Sequence, residues 1–468
     1  MKVTKKNIIS LIIGLVIAIA ISLAPPPEGL TPEAMRALGI IVCAILFLIV
    51  DIFPGVITGI LMCVSFVVFQ CVPFTTAFNA FADTTFWLII GVLGIGVAIQ
   101  SCGLLKRLSF YVLKLFPPTY NGIIAALLGV GTIFQPLMPS TSAKQSIVSP
   151  VAVSLGQTLG FGNKSREMAG LFNAMYIGWS VTGTVFISAS FLGYLFAGNL
   201  PADVQAQFTW GRWFIAMIPW AIIVAVGNYF TLTKIYKPKT QNVITKDVIN
   251  AQIKALGPMS RDEKITAVIM AITIIMWCLE NTIGISACCT SLLCLVALYI
   301  FKIYSVQDFN GKMGWPLIFF VGAILNITSV MSSLGITNWL GGLIEPIIGG
   351  FVAQPYLFVL VLVPLIYLIR YLMVDFVTLT IVPTIILAPI AQSAGLSPWV
   401  VMMIFYCSVC IWVTKYQNAN MLVGYAAFGG DDMLDYKHVM PGAYAHLVVN
   451  WIALLASIPY WQMLGYIA

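Results

Sequence analysis

The sequence predicts an all-α polytopic membrane protein with about eleven transmembrane helices and two re-entrant hairpins, arranged as two inverted repeats. Of its 468 residues, 60% are hydrophobic and only 8% are charged, whereas a soluble domain carries about 25% charged residues. Apolar runs of about 20 residues, long enough to cross a bilayer, recur along the whole chain. One long polar stretch, residues 236–264, divides the chain into halves with similar patterns.

This pattern predicts a single integral membrane domain over residues 1–468. The expected parts are a first helix with an outer loop, a first repeat, a cytoplasmic linker and a second repeat, over residues 1–33, 34–235, 236–264 and 265–468. The first apolar run follows three lysines, as in a signal peptide, but APPPEGL stands where a small-residue cleavage site would be. We therefore expect this run to be a retained helix.

The basic residues predict the orientation of the chain. Those outside the apolar runs fall almost entirely in loops on one side, and only Arg36 and Arg212 fall on the other. Because cytoplasmic loops retain Lys and Arg, we expect the N-terminus in the cytoplasm, and an odd number of spans places the C-terminus outside. The formal net charge of +7 follows from this topology and not from nucleic-acid binding. The expected location is the bacterial cytoplasmic (inner) membrane.

The two halves share an order of elements. Phe81–Leu105 is similar to Gly314–Ile336, since each has a Trp, an apolar run and a Gly before the next polar turn. Each half then has a hydrophobic hairpin broken at its centre, at Gly122–Gly156 in the first half and at Gln354–Ala391 in the second. A span with a polar break follows, at Gly183–Phe191 and at Thr414–Asn420. Paired interrupted segments in inverted repeats are typical of a midplane binding site in a secondary transporter. Chance similarity between apolar sequences is the alternative explanation.

Three basic residues lie in otherwise apolar stretches, beside small polar residues and helix breakers: Lys144, Arg370 and Lys415. A charge inside a membrane costs about 3 kcal/mol or more, so such residues usually face a cavity or a partner. One acid, Asp375, lies in the same company, and it either neutralises Arg370 or Lys415 or binds a cation. The surplus of positive charge favours a dianion as the solute. A structural salt bridge is the alternative role for Lys144.

The centre of the first predicted hairpin reads PLMPSTSAKQS. The prolines end one helical arm, and Ser140, Thr141 and Ser142 precede a new helix. A helix that begins inside the membrane presents free N–H groups and the positive end of its dipole, which suits a carboxylate, and a lysine in the first turn adds a formal charge. In the second half, Asp375 and Thr378 occupy the corresponding stretch. Ordinary interhelical packing is the alternative role for the hydroxyl groups.

Four segments in chain order carry a resemblance to a known family: Pro25–Val42, Val50–Leu61, Leu256–Lys264 and Pro459–Tyr466. Together with FADTTFWLIIG, they make the chain similar over nearly its whole length to the divalent anion:sodium symporter family of di- and tricarboxylate transporters. This resemblance implies a homodimer in the lipid bilayer. It also implies scaffold domains that hold moving transport domains, which work as an elevator.

In that family, Ser-Asn-Thr at each hairpin tip binds substrate carboxylate and sodium. The first tip here reads STS, followed by Ala143 and Lys144. Lys144 resembles the basic residue of the antiporter branch, which includes citrate/succinate exchangers. The second tip, VDFVTLT, departs strongly from the motif. The broken-helix motifs stand as residues 187–191 and 416–420. Both asparagines of the Ser-Asn-Thr signature are lost from the tips, and so is the glycine whose carbonyl would coordinate sodium.

These departures predict a sodium-independent antiporter of di- or tricarboxylates, in which Lys144 replaces a bound sodium ion. A fixed cation cannot leave, so an empty carrier resists reorientation unless another anion is bound, and this favours obligatory exchange. The first tip is expected to hold one carboxylate, the second tip to shape the opposite end, and the broken helices to contact the middle of the substrate. The predicted substrate-binding residues are Ser140, Thr141, Ser142, Lys144, Ser188, Asp375, Thr378, Gln417 and Asn418, and the predicted charge-compensating residues are Lys144, Arg370 and Lys415.

Two other functions compete with this one. The first is symport coupled to sodium or protons, with Asp375 as the ion site, and the second is a membrane sensor that binds a carboxylate. A sensor would need a sizeable cytoplasmic output domain, and a channel would not need hairpins that enclose a site. No cofactor or metal is expected. The sequence contains no catalytic triad, P-loop or metal motif, and its ten scattered cysteines are expected to be small buried hydrophobes.

Overall fold

The computed structural model describes residues 5–50, 52–137, 140–238, 253–372 and 376–468. In the first half, α-helices cover Lys5–Leu23, Pro32–Val50, Gly55–Val68, Phe74–Ala77, Thr84–Cys102, Leu104–Leu113, Tyr120–Phe134, Thr141–Thr158, Arg166–Trp179, Phe191–Ala197, Ala202–Gln207 and Trp210–Ile235. In the second half, they cover Arg261–Cys278, Glu280–Ile283, Ala287–Ile300, Val306–Lys312, Trp315–Ser333, Ile336–Val352, Pro355–Leu372, Phe376–Ser393, Pro398–Val409, Ala419–Ala427, Gly430–Met433 and Tyr436–Met463. Short 3-10 helices cover Asn79–Ala82, Gln135–Leu137, Val181–Val185, Ile187–Ala189 and Lys415–Gln417.

The predicted class, an all-helical polytopic membrane protein, is confirmed. Among the described helices, five are long and apolar enough to cross a membrane: Thr84–Cys102, Trp210–Ile235, Trp315–Ser333, Phe376–Ser393 and Tyr436–Met463. Local sequence sets their ends. Asp83, for example, accepts a hydrogen bond from the Thr85 backbone N–H at 2.7 Å and so caps the first of these helices. Gly103 ends the same helix in the left-handed conformation, with φ of 81°.

The same order of elements occurs in both halves. A long apolar helix is followed by an amphipathic helix, a pair of helices separated by a short interruption, a helix broken near its middle and a final long helix. We call the two helix pairs the first hairpin (Tyr120–Phe134 and Thr141–Thr158) and the second hairpin (Pro355–Leu372 and Phe376–Ser393). We call the two interruptions of the broken helices the first break (residues 180–190) and the second break (residues 410–418).

Each hairpin packs with both of its arms on the helix that follows it in the chain. For the first hairpin this helix is Arg166–Trp179, and glycines allow a close crossing. A Cβ atom on Gly131 would lie 2.4 Å from the carbonyl of Gly178, and one on Gly178 would lie 2.2 Å from the carbonyl oxygen of Leu127. No side chain fits between these backbones. The interruption of the first hairpin is therefore held at a fixed position against the first break.

The final helices of the two halves pack along each other. Trp220 Nε1 donates to Asn450 Oδ1 at 2.9 Å, and Trp461 Nε1 donates to the carbonyl of Ala216 at 2.8 Å. Each hydrogen bond crosses from one half of the chain to the other. The breaks and hairpins are thereby joined into one packed unit.

A second group of helices surrounds this unit. Thr84–Cys102 packs on Ala287–Ile300, and Gly55–Val68 packs on Trp315–Ser333. The buried guanidinium of Arg107 connects the amphipathic helix of the first half to the end of the central linker. It pairs with Glu263 at 2.8 Å and donates to the carbonyls of Leu256, Gly257 and Pro258 at 3.1, 2.8 and 3.2 Å.

Candidate anion-binding site

The second arm of the first hairpin begins at a capped helix N-terminus, as predicted. Ser140 is the N-cap residue, and its Oγ accepts a hydrogen bond from the Ala143 backbone N–H at 3.3 Å. Thr141 and Ser142 form the first turn and are partly exposed. The 18-residue helix that follows directs the positive end of its dipole toward this point. The N-terminus can therefore accept an anion such as a carboxylate.

Lys144 lies one turn into the same helix and is fully buried. Its Nζ donates to Gln135 Oε1 at the end of the first arm and to the carbonyl of Ala189 in the first break, the latter at 2.9 Å. Both acceptors are neutral. Among the described residues the Lys144 ammonium has no carboxylate within ion-pair distance. The hairpin and the first break are thus joined by an uncompensated positive charge.

The first break consists of two 3-10 turns, and Ser190 caps the helix that resumes after it by accepting from the Leu192 N–H at 3.3 Å. Ser188 lies in the second of these turns and is fully buried. Its Oγ accepts a hydrogen bond from Trp210 Nε1 at 2.8 Å, and its own proton stays available for donation. The hydroxyl is therefore oriented by the final helix of its own half.

The second break ends at another capped helix N-terminus. Asn418 Oδ1 accepts hydrogen bonds from the backbone N–H groups of Asn420 and Met421 at 3.0 and 3.2 Å. Gln417 Oε1 accepts from the Thr414 N–H at 2.8 Å. The Nε2 of this fully buried Gln417 has no hydrogen-bond partner among the residues that the structure describes. A free buried amide donor beside a helix N-terminus suits an anionic ligand.

The two helix N-termini meet. Ser142 Oγ donates to Asn420 Oδ1 at 3.2 Å and connects the start of Thr141–Thr158 to the start of Ala419–Ala427. One turn further along, the side chain of Gln145 is fully buried, and both of its polar atoms lack a hydrogen-bond partner in the described part of the chain. Two positive dipole ends, a buried ammonium and two unpartnered amides therefore occur at one junction between the halves. This junction is the candidate anion-binding site.

Arg370 lies in the first arm of the second hairpin, whereas Lys144 lies in the second arm of the first hairpin. Arg370 is fully buried, its Nε donates to the carbonyl of Val409 at 2.9 Å, and its Nη2 donates to the carbonyl of Gln417. Its guanidinium also lies 5.9 Å from the ring centre of Phe376. In each half, then, a buried cation from the hairpin donates to backbone at the break: Lys144 to one carbonyl and Arg370 to two.

Lys415 differs from the other two basic residues. Its Nζ pairs with Asp431, and the two side chains are 38% and 78% exposed. The ammonium also lies 4.8 Å and 5.5 Å from the ring centres of Tyr425 and Tyr436. The expected grouping of Lys415 with Lys144 and Arg370 as buried, charge-compensating residues is therefore not observed, because a carboxylate 16 residues further along the chain balances Lys415.

At the second hairpin, Asp375 lies outside the described residues. Thr378 is buried and lines a small cavity against the second and third helices of the chain, together with Ala44 and Met62. Sequence reasoning missed Gln135, Gln145 and Asn420 as members of the junction. Gln135 precedes a helix-breaking proline and Asn420 ends the predicted polar break Thr414–Asn420, so both had a signal that could have indicated them. Gln145 lies inside a helix and carries no such signal.

Two hairpins around buried cations, with two broken helices between them, define a secondary membrane transporter. The chain belongs to the sodium:sulfate symporter family, since the family model for the sodium:sulfate symporter transmembrane region matches residues 5–467. The resemblance to the divalent anion:sodium symporter family is thereby confirmed. The protein is a transporter and not an enzyme, as predicted.

Several known proteins are similar to this chain. It is 25% identical to the inner membrane protein YbhI of Escherichia coli K12, over 72% of this chain and 73% of the relative. It is 26% identical to dicarboxylate transporter 2 of Spinacia oleracea chloroplasts, over 72% and 60%. It is 22% identical to an L-tartrate/succinate antiporter of Escherichia coli O6:K15:H31, over 82% of both. The crystal structure of the Alcanivorax borkumensis YdaH transporter shares the fold, with a TM-score of 0.59, 14% identity and 98% coverage of both chains.

Proposed function

We propose that this protein exchanges di- or tricarboxylate anions across the bacterial cytoplasmic membrane by sodium-independent antiport. The names of two relatives, a dicarboxylate transporter and an L-tartrate/succinate antiporter, support the substrate class. The observation that carries the proposal is the fully buried Lys144, which binds neutral acceptors one turn from a capped helix N-terminus. Its charge is left to attract an anion.

The chemistry of the junction favours a dianion over a monoanion. One carboxylate would bind the N–H groups of the first turn at Ser140, Thr141 and Ser142. The start of Ala419–Ala427, where Asn418 caps the N–H groups of Asn420 and Met421, supplies a second dipole end, joined to the first through the Ser142–Asn420 hydrogen bond. The free Gln417 amide is a donor for the body of the substrate. Ser188 and Asn418 would lie beside the middle of the substrate, as predicted from the sequence for the broken helices.

The positions of the buried cations support sodium independence. In sodium-coupled carriers, carbonyls of unwound backbone coordinate the ion. Here the carbonyl of Ala189 binds Lys144, and the carbonyls of Val409 and Gln417 bind Arg370. These oxygens are engaged by permanent cations. Lys144 stays in an empty site, so crossing the membrane without an anion would leave its buried charge uncompensated, at a cost of about 3 kcal/mol or more. Exchange is the expected result.

The remaining parts of the proposal concern architecture. The two halves would run inverted, with residues 34–235 and 265–468 as the repeats and residues 236–264 as a cytoplasmic linker. The unit of hairpins, broken helices and final helices would move against the surrounding helices as an elevator, within a homodimer. The N-terminus would lie in the cytoplasm and the C-terminus outside.

Uptake of labelled succinate into proteoliposomes tests this proposal. We expect uptake only into vesicles preloaded with a dicarboxylate, with the same rate in sodium and in potassium buffer. Sodium-driven or proton-driven uptake into empty vesicles would contradict antiport and support symport through Asp375. If succinate, malate, tartrate and citrate all fail to exchange in protein that retains its fold, the proposed substrate class is wrong.

A further inference from the structure

A cavity of about 650 Å³ lies among the first three helices of the chain, Lys5–Leu23, Pro32–Val50 and Gly55–Val68. It shares no lining residue with the candidate anion-binding site. Its lining is mostly apolar, and Arg36 is the one charged residue among the described residues that line it. A mostly apolar cavity of this size, separate from the anion-binding site, needs its own explanation.

Helix packing shows why the cavity exists. The first helix packs closely on the second: a Cβ atom on Gly39 would lie 2.6 Å from the carbonyl oxygen of Ala18. The first helix packs only sparsely on the third helix. Apolar side chains that line the gap between them are exposed, among them Ile19 at 57% and Leu61 at 46%. The gap is therefore an apolar groove that the protein itself does not fill.

The length of the groove corresponds to one leaflet of a bilayer. Arg36 Nη2 donates to the carbonyl of Gln70 at 3.4 Å, so Phe69 lies at the same end as Arg36. Phe47 lines the opposite end. Arg36 and Phe47 are eleven residues apart in one helix, which corresponds to about 16 Å. Half of a typical hydrocarbon core is about 15 Å thick. A single acyl chain therefore fits the groove along its length.

The Arg36 end has the chemistry of a zwitterionic headgroup site. Arg36 pairs with Glu33 at 2.9 Å, and the two side chains are 33% and 42% exposed. A guanidinium has five donors and is well suited to phosphate, so a second anion can bind its free edge. The Glu33 carboxylate can accept from an ammonium group at the same time.

We propose that this groove binds a zwitterionic phospholipid of the phosphatidylethanolamine class. Its acyl chain lies between the first and third helices, its phosphate contacts Arg36 and its ammonium contacts Glu33. The lipid fastens the first helix to the third helix, which the protein side chains alone do not do. This site is independent of the proposed transport function.

Native mass spectrometry of the full-length protein, incubated in detergent with dioleoyl-phosphatidylethanolamine, tests the site. In Ser65→Trp, an indole fills the groove at a residue that lines it. Val64→Trp is the matched control, because Val64 is the neighbouring residue, is 41% exposed and does not line the groove. We expect wild type and Val64→Trp to retain phosphatidylethanolamine, and Ser65→Trp to retain about tenfold less.

Two further experiments test whether the headgroup contributes to binding beyond the acyl chains, and whether the groove holds lipid or another copy of the protein. Arg36→Gln is expected to abolish the preference for phosphatidylethanolamine over a diacylglycerol with the same chains. Equal retention of lipid by Ser65→Trp and Val64→Trp would overturn the proposal. It would also be overturned if Leu61→Cys, a substitution within the groove, cross-linked two copies of the chain directly, because the groove would then be covered by protein.

Discussion

Replacing Lys144 with methionine removes one buried charge while keeping a side chain of similar length. Lys144 lies four residues after the N-cap residue Ser140, which is about 6 Å along a helix. At an effective dielectric constant of about 20, a unit charge interacts with a carboxylate at that distance by about 3 kcal/mol. This corresponds to a loss of about 100-fold in affinity for the anion.

The measurement is the concentration dependence of succinate counterflow in proteoliposomes. We expect KM for Lys144→Met to rise by about two orders of magnitude. Loss of the ammonium also leaves Gln135 Oε1 and the Ala189 carbonyl without donors, so the thermal midpoint is expected to fall as well, by a stability loss of about 1–3 kcal/mol for each acceptor. Lys312→Met is the matched control, since Lys312 is 59% exposed and, among the described residues, forms its one ion pair with Asp308, four residues before it in the same helix.

The sodium response distinguishes a charge effect from a general defect. If Lys144 stands in place of a cation, the variant leaves an acceptor-lined position that sodium can enter, and some sodium dependence of exchange should appear. A folded Lys144→Met variant with wild-type KM would refute the assignment of Lys144 to the anion site. So would a KM change of the same size in Lys312→Met.

Three other substitutions have defined outcomes. Arg370→Met deprives two buried carbonyls of a charged donor and should lower stability by about 3 kcal/mol or more, measured as the thermal midpoint, and abolish exchange. Asn420→Asp places a carboxylate where two helix N-termini meet, so we expect unchanged or raised thermal stability but a KM at least about tenfold higher. A fall in thermal stability together with a loss of exchange activity would contradict an anion site there. Gly131→Ala should destabilise the protein by about 2 kcal/mol or more, because its methyl group would meet the Gly178 backbone, whereas Gly129→Ala, whose nearest neighbour lies at an ordinary 3.7 Å, should be nearly neutral in the same melting assay.

Hydropathy and helix-breaking residues were enough to predict most of the fold. Runs of apolar residues are read directly from the chain, and the hairpin interruption at PLMPSTS follows from its prolines. The second break was predicted over Thr414–Asn420, but it spans residues 410–418. The helix before it stops at Val409, whose carbonyl accepts from Arg370 Nε, 39 residues away in sequence. No local pattern contains that interaction, so the start of this break could not be predicted.

The site was less accessible to sequence reasoning than the fold. The STS tip and Lys144 were identified because a polar cluster inside an apolar run is unusual and therefore informative. The junction itself depends on a hydrogen bond between Ser142 and Asn420, which are 278 residues apart. Lys415 looked equivalent to Lys144 because both are lysines in polar breaks. Only the folded chain brings Asp431 against Lys415 and separates the two cases.

The exchange hypothesis depends on the similar contacts that Lys144 and Arg370 make with backbone carbonyls. Lys144 binds one carbonyl and Arg370 binds two where a helix is broken, and each cation comes from the hairpin of the same half. A mobile ion at such carbonyls could leave with the substrate and let the empty carrier return. The covalently attached Lys144 cannot leave, so the charge that attracts a dianion also opposes the movement of an empty site. Removing one cation should therefore weaken binding and at the same time relax the requirement for exchange, so that uptake into empty vesicles rises relative to counterflow. A purely structural role for Lys144 or Arg370 predicts a loss of both activities in the same proportion.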